Sequence, residues 1–233
     1  MKKRTHAGVL MTMMFLAGNI QGQEAGLNSA VGRNQRVTET SLQPVLNMVS
    51  TNLHYGKSNA MLSNYRKSSF GPQVGLSFQA GITSRFSIVS QLYFVMKGGK
   101  LDSNNPLTGD KSSLRLYTLE TPLLARFHFG SFYVDAGPAI AYNLYGTRKM
   151  SSTTTSVSFS KKGNSSFKRL DTGLQLGAGY MFRIKQKKLA LDIRYTHGLR
   201  NISNDSEIFN RYLNVSLYIF KPWKTNPFAW KRN

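Results

Sequence analysis

The sequence predicts an all-β fold: an eight-stranded antiparallel transmembrane β-barrel preceded by a cleavable signal peptide. Three observations carry it. Several segments alternate apolar and polar residues with period two, the mark of strands with two unlike faces. The connections between these segments alternate short and long, as they do in outer-membrane barrels. Finally, mean hydropathy is −0.31, and the nearest candidate for a spanning helix, 7–17, is too short to cross a bilayer.

In chain order, Met1-Lys2-Lys3-Arg4 precedes that short apolar run, and small polar residues follow it at 18–22. A charged start, an apolar run and a small-residue end read as a secretory signal peptide over 1–22, cleaved near Gly22-Gln23. Residues 23–40 are polar without a period and read as a linker. The barrel is expected over 41–220, followed by a basic and aromatic tail at 221–233 with Trp223 and Trp230.

Seven segments alternate well: 70–82, 86–97, 114–129, 132–145, 167–182, 188–200 and 209–220. An eighth at 42–54 is weaker, because Pro44 and the irregular spacing of Leu42, Val45, Val49 and Leu53 blur it. Closed single-chain barrels carry an even number of strands, which favours eight. Thr83-Ser84-Arg85, Gly130-Ser131 and 183–187 are short connections, whereas 55–69, 98–113 and 146–166 are long and 201–208 is intermediate. Gly130-Ser131 also sets a register. Glycine first in a two-residue loop suits a type II′ turn. Phe129 then faces Phe132, Phe127 faces Val134, and Arg126 faces Asp135.

The two faces are unlike in a particular way. Over 167–182 one parity reads Arg169, Asp171, Gly173, Gln175, Gly177, Gly179, and the other Leu170, Thr172, Leu174, Leu176, Ala178, Tyr180, Phe182. A solvated face gains nothing from so many glycines, which weaken a strand. A narrow, crowded lumen does need them. The polar face therefore points inward and the apolar face towards lipid. Lumen positions carry four acids, Glu120, Asp135, Asp171 and Asp192, and four bases, Lys97, Arg126, Arg169 and Arg194. Buried charges must be paired, and an eight-stranded barrel is only wide enough for its own side chains. The expectation is a plugged lumen with an internal charge network. Outward aromatics cluster near the short-turn rim, at Phe86, Phe127, Phe129, Phe132, Tyr180 and Phe182, as in an interfacial girdle.

Four stretches carry a family resemblance: Leu119-Glu120-Thr121-Pro122-Leu123-Leu124, Phe132-Tyr133-Val134-Asp135-Ala136-Gly137-Pro138, the run from Thr172 to Tyr180, and Asp192-Ile193-Arg194-Tyr195-Thr196-His197-Gly198-Leu199. Their order and spacing resemble the PorT-like porin family, small outer-membrane β-barrel proteins of Gram-negative bacteria. The resemblance covers about 70–220. It implies an outer-membrane location and, for the namesake, a part in protein secretion; it implies no catalytic residues. The sequence departs from the family in its weak first strand and in the tail beyond Phe220.

Composition narrows the function classes. The absence of cysteine excludes a lipid-anchored precursor and a disulfide scaffold. The net charge is +21, three less once Lys2, Lys3 and Arg4 leave. A secretory signal argues against nucleic acid, so outer-membrane lipid and lipopolysaccharide phosphates are the expected partners, with secretion or envelope proteins beside them. Arg148-Lys149 and Lys161-Lys162 flank a Ser/Thr-rich loop that reads as flexible and solvated, or alternatively as a basic binding loop. His54, His128 and His197 share no metal-ligand spacing, and no cofactor is expected. His197 near Ser203 and Asp205 is the strongest enzymatic candidate, but spacing alone makes no triad. The expected function is a non-catalytic structural or interaction role in the outer membrane, with both termini in the periplasm. A small passive porin is the alternative. A lipid-modifying enzyme and a soluble lipocalin-like carrier follow.

Overall fold

The computed structural model describes residues 40–159, 166–184 and 187–220. The signal peptide, residues 23–39 of the linker, Lys161-Lys162 and the tail 221–233 lie outside the described residues. Ten strands follow in order: β1 (Ser41–Tyr55), β2 (Arg66–Lys67), β3 (Ser69–Gly81), β4 (Phe86–Leu101), β5 (Ser112–Phe129), β6 (Phe132–Met150), β7 (Thr153–Ser156), β8 (Leu170–Ile184), β9 (Lys187–Gly198) and β10 (Ile208–Phe220). A 3-10 helix, Lys57–Tyr65, lies between β1 and β2.

Eight of these strands are barrel staves, each antiparallel to its neighbour. β1 pairs with both β3 and β10, so the first and last staves meet and the sheet closes. The two short strands add to the outer ends: β2 pairs with β4, and β7 folds back on β6. β4 and β6 run further than their alternation suggests, to Leu101 and Met150, because the ladder with β5 continues through Leu101↔Ser112 and Ser112↔Met150.

The short hairpin has the expected register: Phe129↔Phe132, Phe127↔Val134 and Arg126↔Asp135. Gly130 sits at φ +67°, the left-handed region that a first turn residue in a II′ hairpin must adopt. A β-bulge at Leu144 on β6 lies opposite the Tyr117–Thr118 step of β5, where Thr118 pairs with Asn143 but Tyr117 with Tyr145. It puts Leu144 and Tyr145 both outward, and above it the lumen parity of β6 moves to Gly146 and Arg148.

β1 reads weakly for a physical reason. Its lumen face alternates Gln43, Asn47 and Thr51 with buried Val45, Val49 and Leu53, so apolar residues stand on both faces. Val49 packs against Tyr93, Val95 and Tyr212, and Val45 against Tyr133 and Tyr218. Its outer face carries Leu46 and Met48, 80% and 59% exposed, followed upward by Ser50, Asn52 and His54. That change from apolar to polar marks where the lipid-facing band ends.

Elsewhere the outward positions of the band are apolar and exposed, as at Val74, Leu76, Leu174, Leu176, Ile193, Leu213, Val215 and Leu217. The polar residues are inside. Gln73, Gln91, Glu120, Asp135, Gln175, Asp192 and Arg194 are each 3% exposed or less. The molecule thus inverts a soluble barrel, with its apolar band outside and its charged groups within.

Candidate functional site

The lumen is built in layers set by strand parity. Next to the short-turn rim lies an apolar layer of Val45, Tyr133, Ala190 and Tyr218. Above it is a four-charge cluster. Arg126 on β5 donates from Nε and Nη2 to Asp135 Oδ2 at 3.0 and 2.5 Å. Arg194 on β9 shares the same oxygen at 3.2 Å and lies 3.3 Å from Asp192 Oδ2. Tyr133 donates to that Asp192 oxygen at 2.8 Å, while the Arg126 guanidinium stacks 3.9 Å over the Tyr133 ring. Arg194 then crosses the lumen to Gln91 on β4 at 2.7 Å, and Arg126 reaches Gln79 on β3 at 3.0 Å. Two acids and two bases make this layer neutral.

The next layer centres on Glu120. Its Oε1 accepts from Tyr93 at 3.0 Å, from Gln175 at 2.8 Å and from Tyr212. These donors come from β4, β8 and β10, so the carboxylate is held from three walls. Lys97 forms an ion pair with Glu120 and lies 3.6 Å from Asp171, whose Oδ2 also accepts from Asn210 at 2.8 Å. The void among Lys97, Glu120, Asp171, Asn210 and Tyr212 measures about 10 Å³, room for a single water. The charged layers therefore close the lumen.

Glycines make this crossing possible. A Cβ on Gly179 would strike the Tyr133 ring, and one on Gly177 would strike Asp135 Oδ1. The glycine face of β8 is the space into which Tyr133, Asp135 and Arg194 fold.

Seven of the eight sequence-assigned lumen charges, Lys97, Glu120, Arg126, Asp135, Asp171, Asp192 and Arg194, lie in these layers. Arg169 does not. It precedes the first residue of β8, so strand parity does not govern it, and it is exposed at the outer rim. It donates to the carbonyls of Asn143 and Leu144 at 3.2 and 3.3 Å, beside the bulge, and stacks on Tyr142 and Phe159. The even balance of four acids and four bases is corrected accordingly: three bases face four acids, and the surplus acid sits in the Lys97 layer.

Sequence reasoning missed the tyrosines. Tyr93, Tyr133, Tyr212 and Tyr218 are all buried in the lumen. Their parity with Gln91, Asp135, Asn214 and Ser216 was the available signal. The girdle aromatics Phe86, Phe127, Phe129, Phe132, Tyr180 and Phe182 all stand at outward positions near the short-turn rim, with Phe86 and Phe127 rings 5.0 Å apart. His197 points outward beside Tyr195, whereas Ser203 is buried on the interior and its Oγ accepts from the Asp205 backbone amide. The three do not assemble.

Above the charged layers lies a second apolar cluster of Leu53, Tyr55, Leu101, Leu114, Leu116, Phe167, Ile202 and Ile208, with Leu62 of the 3-10 helix over it. It encloses a vestibule of about 510 Å³ that opens towards the long loops. Arg148 projects into it, 5.5 Å over the Phe167 ring.

A closed barrel with a polar, ion-paired interior and an apolar exterior agrees with the family comparison. The model of the outer membrane protein beta-barrel domain matches residues 27–204. The chain belongs to that family. It is accordingly an outer-membrane β-barrel protein of the bacterial type. Similar solved structures include Neisserial surface protein A, at 10% identity and TM-score 0.49, covering 78% of this chain and 98% of that one. Ail, the attachment invasion locus protein of Yersinia pestis, is 11% identical with TM-score 0.41, covering 78% and 100%. The outer membrane protein OprG from Pseudomonas aeruginosa is 12% identical with TM-score 0.39, covering 77% and 94%. Comparison with curated proteins finds no match.

Proposed function

We propose that this outer-membrane β-barrel is non-catalytic and non-conducting, and that it serves a structural or interaction role. The observation that carries this is the lumen itself. Arg194 spans from β9 to Gln91 on β4, Gln175 spans from β8 to Tyr93, and the gap left among the charged groups is about 10 Å³. A passive porin, the second reading, needs a continuous water path, and the side chains crossing the lumen argue against one. The secretion-associated role implied by the PorT-like resemblance is the specific form of the proposal.

The short turns and both ends of the barrel share one rim, at Ser41, Phe220, Thr83–Arg85 and Gly130-Ser131, which supports periplasmic termini. In that orientation the girdle aromatics meet the periplasmic interface. Arg115, Lys149 and Arg211 stand at outward positions above the apolar band, where the phosphates of lipopolysaccharide would meet them.

Planar-bilayer recording on the refolded barrel is the test. The expected trace is flat at all voltages, and steady single-channel steps would overturn the proposal. In-cell crosslinking then separates its forms: repeated recovery of secretion components identifies an accessory subunit, and recovery of lipid and barrel alone identifies a stand-alone structural protein.

A further inference from the structure

We propose that the outer vestibule binds a single-chain amphiphile with an anionic head group, a fatty acid being the simplest case. This goes beyond the structural role above, since nothing in that role requires the interior of the barrel to hold a ligand.

The cavity of about 510 Å³ lies within the range of small-molecule sites. Its wall and rim differ in character. Leu53, Leu101, Leu114, Phe167 and Ile208 are each 8% exposed or less and form the apolar wall. Ser112, Ser113, Asn59 and Ser206 stand at intermediate exposure and supply hydrogen-bonding groups. Such a gradient suits a molecule with an apolar tail and a polar end.

The sign of that end follows from Arg148. Among the described residues no carboxylate lies within 4.0 Å of its guanidinium, which packs over the face of Phe167. Asp205, on the same cavity lining, is already partnered. A cation of this kind, half-buried beside an apolar wall, gains from an anionic partner more than a solvated one would. The tail has no route onward, because Leu116 and the Lys97–Glu120 pair close the lumen below. The vestibule is therefore a terminal site and not a passage.

The test uses the full barrel in phospholipid nanodiscs with a palmitic acid analogue bearing a tail diazirine, mapped by mass spectrometry after irradiation. Expected adducts fall on peptides carrying Leu53, Leu114 or Phe167 and are displaced by unlabelled palmitate. Filling the cavity by Leu114→Trp should cut this labelling about tenfold. Arg148→Gln, which leaves the apolar wall intact, should weaken the acid but not the matching fatty alcohol analogue. A heat-modifiable electrophoretic shift verifies that each variant is folded. Adducts confined to lipid-facing sites such as Leu46 and Leu176 would overturn the proposal. So would equal vestibule labelling by acid and alcohol in the unmodified protein.

Discussion

Arg126 and Asp135 face each other across the hairpin closed by Gly130-Ser131, and Nε and Nη2 of the arginine converge on one carboxylate oxygen at 3.0 and 2.5 Å. Arg194 reaches that same oxygen from β9. Removing Arg126 alone leaves two acids and one base in a layer sealed from water. Arg126→Met should therefore destabilise the barrel by about 3–5 kcal/mol. Arg126→Met combined with Asp135→Leu restores neutrality through Arg194 and Asp192, and should recover most of the loss. Urea unfolding in lipid vesicles across this double-mutant cycle measures the coupling.

A smaller change tests the packing beneath that pair. Gly179→Ala places a methyl group against the Tyr133 ring, which is pinned by its bond to Asp192 and by the stacked Arg126. The expected cost is about 1–3 kcal/mol, as for overpacking in any filled core. Ala178→Val, one residue away on the lipid face, should be close to neutral in the same assay.

The lipid-facing band makes a depth-dependent prediction. Leu176 is 65% exposed and lies near the middle of β8. Leu176→Arg should cost about 2–4 kcal/mol, whereas Ile184→Arg at the rim should cost about 0–1 kcal/mol. Refolding yields and unfolding midpoints in vesicles distinguish the two.

At the outer loops, Lys67 Nζ lies 2.6 Å from Asp102 Oδ2. The hydrogen bond from Lys67 is the largest cause holding the Asp102 carboxyl below its usual value, with the Ser103 amide next. A depressed carboxylate stabilises the loop fully above its unfolded value of about 3.9. The contribution is lost as pH falls through the lower folded value. Amide exchange of β2 and the outer end of β4, corrected for the intrinsic rate at each pH, should therefore quicken on acidification. Lys67→Gln should quicken it at neutral pH and remove the acid dependence.

Much of this architecture was legible because two devices fix register locally. A two-residue turn with glycine first leaves one pairing for β5 and β6, and period-two parity then sorts the residues of each regular stretch of strand to lumen or lipid. Arg169 escaped because parity applies only within a strand, and it stands one residue before β8. β1 was blurred because its lumen face packs valines against tyrosines instead of showing polar groups throughout. The vestibule was not legible at all. Its wall joins Phe167 and Ile202, from two different loop regions, to Leu53 on β1 and Leu114 on β5, and no local pattern records that meeting.

The placement of the charges bears on how such a chain enters a membrane. Among the described residues, every lumen ion pair joins residues of β4, β5, β6, β8 and β9. The lumen faces of β1 and β10 offer only neutral partners across their own junction, such as Asn47 with Asn214. Arg126 and Asp135 can neutralise one another within a single hairpin, and Asp192 and Arg194 within a single strand. Apart from the one surplus acid of the Lys97 layer, the lumen charges can thus be paired while the cylinder is still open, and the junction of first stave to last is made by neutral groups.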